Sequence, residues 1–208
     1  DRVYERFLTS GASVLTLDDA AYPHALRTIL EPPQVLFYKG ELPDKDAVCL
    51  AMIGSRHNTS YGKQVGEILS RDLAKRGVWI ISGMARGIDP ICHAATLSAG
   101  GKTVAVLGTG VDVPYPRENK KLYEQIIQNG AVMSELPIGA PALPKHFPMR
   151  NRIISGLSRG VIVIEAGSKS GTLLTVDHAL EQGRDVFAVP GPITSTASRG
   201  TNNLIKLG

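Results

Sequence analysis

The stretch Pro144-Lys145-His146-Phe147-Pro148-Met149-Arg150-Asn151-Arg152-Ile153-Ile154-Ser155 carries the most distinctive chemistry in the chain. It sets three cations, Lys145, Arg150 and Arg152, around one aromatic ring that lies between two prolines. Cations that neutralise a phosphate backbone, beside a ring on which a base can stack, are what a single-stranded nucleic acid requires. Pro148 suits the start of a helix running through Ile153, and Phe147 then sits at the mouth of that helix beside Lys145. A structural role competes at each position. Phe147 would serve as a core anchor, and Arg150, Asn151 or Arg152 would brace loops through backbone hydrogen bonds.

A second group consists of small residues. Gly54-Ser55-Arg56, Ser82-Gly83, Gly108-Thr109-Gly110 and Ser170-Gly171-Thr172 each follow an apolar run. Residues without bulk let backbone N–H groups approach an anion, and a helix N-terminus adds partial positive charge. One such loop is weak, because glycine is also an ordinary turn residue. Several on one edge of one sheet describe a phosphate-lined groove. Arg117, after Tyr115-Pro116, adds a cation near that edge.

Other chemistries lack their residues. Gly108-Thr109-Gly110 has no third glycine and follows the third apolar run rather than the first, so it is no dinucleotide fingerprint. Gly101-Lys102-Thr103 has Thr96 where a P-loop needs glycine, and it leads into a strand. Neither NAD nor ATP is supported by motif, and no cofactor is expected. No metal-spaced Cys/His set, HExxH or GxSxG is present. Asp89, Asp112, Glu135, Glu165 and Asp177 lie near strand ends, where an acid–base role competes with capping and bracing.

The elements that must position these residues follow from periodicity. Apolar runs at 48–53, 78–81, 103–107, 131–133, 161–164 and 186–189 read as six short buried strands, rich in Val and Ile and bounded by Gly, Ser or Pro. Between them, 62–76 has Val65, Ile68, Leu69, Asp72 and Leu73 on one side, and 171–182 has Leu173, Leu174, Val176 and Leu180. Gly77 stands where the first of these helices should stop. Alternating strands and helices of this size predict an α/β fold, a doubly wound, mostly parallel sheet of Rossmann-like, three-layer αβα type. Ligands of such sheets bind at the carboxyl ends of the strands. Residues 1–44, punctuated by Pro23, Pro32, Pro33 and Pro43, read as an N-terminal extension packed on a core domain at 45–208.

Charge places the partner. The chain has 208 residues, 23 Lys plus Arg and 19 Asp plus Glu. No acidic residue lies between Glu135 and Glu165, a window that holds Lys145, Arg150, Arg152 and Arg159. Without those four the basic and acidic counts balance, so the whole excess sits in one stretch. That favours a polyanion, against the plain alternative of a solvated basic face. No apolar run is long enough to cross a membrane, and no leader-like stretch follows Asp1. The chain does not begin with Met, which suggests a fragment. Cys49 and Cys92 lie in apolar surroundings and read as packed, reduced thiols of a cytoplasmic protein.

Taken together, GSR (54–56), SGMARGID (82–89), LGTGVDVPYPREN (107–119), SELP (134–137), FPMRNRIISGLS (147–158), SGTLLT (170–175) and FAVPG (187–191) resemble the DprA/Smf family of DNA-processing proteins. The upstream YP (22–23) and PPQVLFYKG (32–40) fit as well. The resemblance implies a bacterial cytoplasmic protein of natural transformation that dimerises, binds and protects incoming single-stranded DNA, and loads the RecA recombinase, with no enzymatic activity. It implies a phosphate contact for Arg56, a basic groove at Arg117, and a cation and stacking aromatic in Lys145 and Phe147. The rival reading is a Rossmann-like hydrolase of a small nucleotide, with Glu165 near Gly171-Thr172.

Overall fold

The computed structural model describes residues 2–208. In chain order the elements are α1 (Arg2–Ser10), β1 (Ser13–Thr16), α2 (His24–Arg27), β2 (Val35–Gly40), β3 (Cys49–Gly54), α3 (Ser60–Ala74), β4 (Trp79–Ser82), α4 (Ile88–Ser98) and β5 (Thr103–Val106). There follow α5 (Lys120–Gln128), β6 (Gly130–Ser134), α6 (His146–Gly156), β7 (Gly160–Glu165), α7 (Thr172–Glu181), β8 (Asp185–Ala188) and α8 (Arg199–Leu207). All eight strands form one sheet in the order β1-β2-β6-β5-β4-β3-β7-β8. The six strands from β3 to β8 run parallel, and β2 joins β6 antiparallel, with β1 antiparallel outside it. This is the doubly wound α/β architecture that the alternation predicts.

Strand alternation divides the core in two. Ala51, Ile53, Ile81, Val104, Val106, Ala131, Met133, Val161 and Val163 point into a cluster shared with Ile153, Ile154 and Leu157 of α6 and Val176 of α7. Their neighbours Met52, Ile80 and Ile164 point to the opposite face, against Ile88 and Cys92 of α4. On that same side Ala105 and Val132 meet Tyr123 and Ile126 of α5. Strands β3 to β7, covered on both faces, read as continuous apolar runs, which is why they stood out in the sequence. The sixth run departs from the expected burial: β8 lies at the sheet edge, and its Phe187 is 54% exposed.

The helix at α3 corrects one expectation. Its most buried stripe is Gly62, Gly66, Ser70 and Ala74, not the apolar side read from periodicity. Val65, Leu69 and Leu73 only flank the core, and Ile68 is 55% exposed. Small residues at every fourth position bring α3 close to α4: a Cβ on Gly66 would lie 3.5 Å from the Cys92 sulfur. Close approach of two helices wins here over burial of the larger side chains. The stop at Gly77 holds: with φ +78, it donates its N–H to the Ala74 carbonyl at 2.9 Å.

The chain leaves β3 for β4, β5 and β6 on one side and returns to β7 and β8 on the other. The switch point of strand order therefore falls between β3 and β7. Doubly wound sheets open a crevice there.

Candidate nucleic-acid interface

The loops after β3 and β7 face each other across that crevice. Gly54 and Ser55 leave β3, and the Ser55 N–H donates to the Glu165 carbonyl at 2.8 Å. Gly54 is demanded by packing, since a Cβ there would come within 2.6 Å of Ile88. Opposite, Ser170 precedes α7 and accepts the Thr172 N–H at 3.3 Å. Gly171 has an ordinary φ of −60, and a Cβ on it would meet nothing within 4 Å. Nothing in the fold asks for glycine at that position; it leaves the mouth of α7 open.

The cleft between these loops has a volume of about 620 Å³. It brings together nine of the residues singled out from the sequence: Gly54, Ser55, Arg56, Phe147, Arg150, Asn151, Ser170, Gly171 and Thr172. His57 and Lys169 also line it. The signal for Lys169 was its place between Gly167 and Gly171 after the fifth apolar run. Arg56 is exposed, with its guanidinium 5.7 Å from the centre of the Phe147 ring. Arg56, Lys145 and Lys169 form no ion pair among the described residues.

The other candidates lie elsewhere. Ser82 is buried and donates its hydroxyl to the Met52 carbonyl at 2.7 Å. Gly83 is buried behind the cleft, where a Cβ would sit 2.7 Å from the Arg150 guanidinium. Lys145 is exposed at the N-cap position of α6, outside the cleft lining. Arg117 is exposed on the short turn Arg117–Asn119, also outside the lining.

The two arginines of α6 have become braces. Arg150 reaches the cleft only as part of its wall, being 4% exposed. Its Nη1 donates to the Gly83 carbonyl at 2.6 Å and to the Val106 carbonyl, tying together the ends of β4 and β5. Burial lowers its pKa to about 10 against the pull of Asp89. Burial likewise raises Asp89, at the start of α4, to about 6, although Arg150 and the Ala85 N–H (3.1 Å) favour its charge. Arg152 holds Glu135 with two parallel bonds, at 2.7 and 2.6 Å, and donates to the Glu31 and Met149 carbonyls. Pro148 falls within the first turn of α6, which begins at His146; a missing N–H costs nothing there.

The carboxylates near strand ends brace as well. Glu165 is 1% exposed and accepts the Thr59 N–H at 2.8 Å and hydroxyl at 2.6 Å, which anchors the start of α3. Asp112 accepts Arg6 and the Gly139 N–H, both at 2.7 Å.

Residues 13–208 match the family model described as DNA recombination-mediator protein A. The chain belongs to the DprA/Smf family. It is 46% identical to protein Smf of Escherichia coli K12 over 196 residues, which cover 94% of this chain and 52% of that one. The structure superposes on DprA of Streptococcus pneumoniae with a TM-score of 0.89 at 42% identity, covering 98% of this chain and 73% of that one. It also superposes on DNA processing protein A of Helicobacter pylori, whose single-stranded DNA binding mode has been described, with a TM-score of 0.84 at 32% identity, covering 95% and 88%. This family member spans about half the length of the E. coli relative. Among the described residues, no helix is long and apolar enough to cross a membrane.

Proposed function

We propose that this chain binds single-stranded DNA along the carboxyl edge of its sheet, protects it, and passes it to RecA during DNA uptake. The observation that carries the reading is the cleft at the β3/β7 switch point. There an uncompensated Arg56 and an aromatic ring, Phe147, face an open helix mouth and Lys169. Backbone N–H groups and the partial charge at the start of α7 suit a phosphate, and the ring suits a base. The described binding mode of the H. pylori relative supports the same ligand. RecA loading, a homodimer and a place in natural transformation rest on family membership. A cytoplasmic setting is supported by the two buried, unpaired thiols.

The rival reading loses its key residue. A nucleotide hydrolase would need Glu165 free to handle a proton or water, but both its oxygens are occupied by Thr59 and it does not line the cleft. The test is anisotropy of a labelled single strand, with duplex and nucleoside monophosphates as competitors. The reading expects binding that resists both and that Phe147→Ala weakens by about 1–3 kcal/mol. Displacement by one monophosphate at micromolar concentration would support the hydrolase instead. Normal binding by Phe147→Ala with early melting would make the ring a core anchor.

A further inference from the structure

Phe147 is not the aromatic that a strand leaving the cleft meets in the open. Its ring is half-buried. It rests on Gly108, where a Cβ would lie 2.9 Å from the ring, and the guanidinium groups of Arg56 and Arg150 stand 5.7 and 5.9 Å from its centre. The more exposed member of the pair is Tyr115, whose ring centre is 5.4 Å from that of Phe147, tilted by 47°. Tyr115 is 37% exposed, and its hydroxyl has no hydrogen-bond partner among the described residues.

The loop that carries Tyr115 is rigidly held. Thr109 donates its hydroxyl to the Val113 carbonyl at 2.8 Å, Tyr123 donates to the Val111 carbonyl, and Asp112 is clamped by Arg6 and the Gly139 N–H. A platform fixed in advance loses little freedom when a base settles on it. Beside it, Arg86 donates to Glu118 at 2.7 Å, with both side chains more than half exposed. An exposed pair of this kind contributes little, so a phosphate can take the place of the Glu118 carboxylate.

These groups follow the sheet. Arg56 lies after β3, Arg86 after β4 and Tyr115 after β5, on three adjacent strands. Neighbouring strands are about 4.8 Å apart, so the ends of β3 and β5 are separated by roughly 10 Å. Between those ends the rings of Phe147 and Tyr115 adjoin at 5.4 Å, so two neighbouring bases can take one ring each.

We propose that Tyr115 is a second base-stacking platform, and that single-stranded DNA runs from the cleft over Phe147 to Tyr115, with Arg86 as the phosphate contact there. The proposal rests on the single-stranded DNA reading and extends its site outward along the sheet edge.

The experiment compares the chain with Tyr115→Ala, Tyr115→Leu and Tyr115→Phe, using labelled oligothymidylates from a dinucleotide upward and thermal melting of each variant. For long oligonucleotides, Tyr115→Ala and Tyr115→Leu should bind about tenfold more weakly and Tyr115→Phe normally. The dinucleotide, long enough to touch both adjoining rings, should rank the four proteins in the same order. Tyr115→Leu keeps an apolar contact with Phe147, so its melting temperature should stay near that of the parent chain. Full affinity of Tyr115→Ala or Tyr115→Leu for long oligonucleotides overturns the second platform and leaves the cleft reading intact. No binding by the parent chain overturns both. If Tyr115→Ala fails to fold, crosslinking of the parent chain to iodouracil-substituted single strands decides: Tyr115 among the crosslinked residues supports the proposal, and crosslinks confined to the cleft overturn it.

Discussion

Two sets of basic side chains have opposite fates in this molecule. Along the seam between the first 44 residues and the rest of the sheet, three cations hold carboxylates: Arg6 with Asp112 at 2.7 Å, Lys102 with Glu41 at 2.8 Å, and Arg152 with Glu135 at 2.6 Å. Arg184 is held there by the Ala25 and Gly156 carbonyls instead. Around the cleft, Arg56, Lys145 and Lys169 have none among the described residues. The residue types are the same. What separates these two sets is whether the fold supplies the counter-charge; Arg86, whose exposed pair with Glu118 can open to a phosphate, stands between them. A site for a polyanion leaves that task to the ligand, and its positive potential is then available to attract one. Arg150 belongs with the braces although it touches the cleft, because two carbonyls and Asp89 satisfy it from within.

The strongest way to break this contrast is at Arg150. Arg150→Met leaves the Gly83 and Val106 carbonyls without a donor and Asp89 without its counter-charge, so unfolding in urea should show a loss of about 3–5 kcal/mol. Unchanged stability with lost DNA affinity would move Arg150 into the ligand-contact set. Gly171→Ala probes the opposite case. A methyl group meets no protein atom there, so stability should stay within about 0.5 kcal/mol of the parent chain. Gly171 lines the cleft, and added bulk there should hinder an approaching phosphate, so affinity should fall by roughly 1 kcal/mol, the worth of one hydrogen bond. Equal affinity would show that the helix mouth is not used.

A pH-dependent effect concerns the acid beneath Arg150. Burial raises Asp89 from 3.8 to about 6. A group held above its unfolded value stabilises the fold at low pH, and the contribution disappears as the pH rises through 6. His93 acts in the opposite sense: burial lowers it from 6.5 to about 3, so its contribution is present above 6.5 and fades as the solution is acidified. Asp89→Asn removes the first effect and keeps the second. Between pH 6 and 4 the variant should therefore lose more stability than the parent chain, measured by denaturant unfolding at each pH. Parallel profiles would mean that Arg150 keeps Asp89 ionised throughout.

Much of the fold was legible because β3 to β7 are covered on both faces and read as Val- and Ile-rich runs. The glycines and serines at their ends were visible for the same reason. The strand order was not, and it is the strand order that sets Gly54-Ser55-Arg56 opposite Ser170-Gly171-Thr172 while leaving Ser82 and Gly83 behind the cleft. The roles of Arg150 and Arg152 were equally hidden. They depend on Gly83, Val106 and Glu135, distant in sequence, and a local basic window cannot show which charges will be neutralised from elsewhere. At α3 the periodicity pointed to large side chains, whereas close helix approach selected the small ones.

The contrast between matched and unmatched cations is tested most directly by the salt dependence of single-stranded DNA binding for the parent chain, Arg56→Ala and Arg152→Ala measured side by side. Each phosphate contact adds roughly 0.7 to the slope of log affinity against log salt for a single strand. Arg56→Ala should lower the slope by about that amount, and Arg152→Ala should leave it unchanged while melting earlier than the parent chain. Equal slopes for the parent chain and Arg56→Ala, or a slope lowered only by Arg152→Ala, would contradict the account.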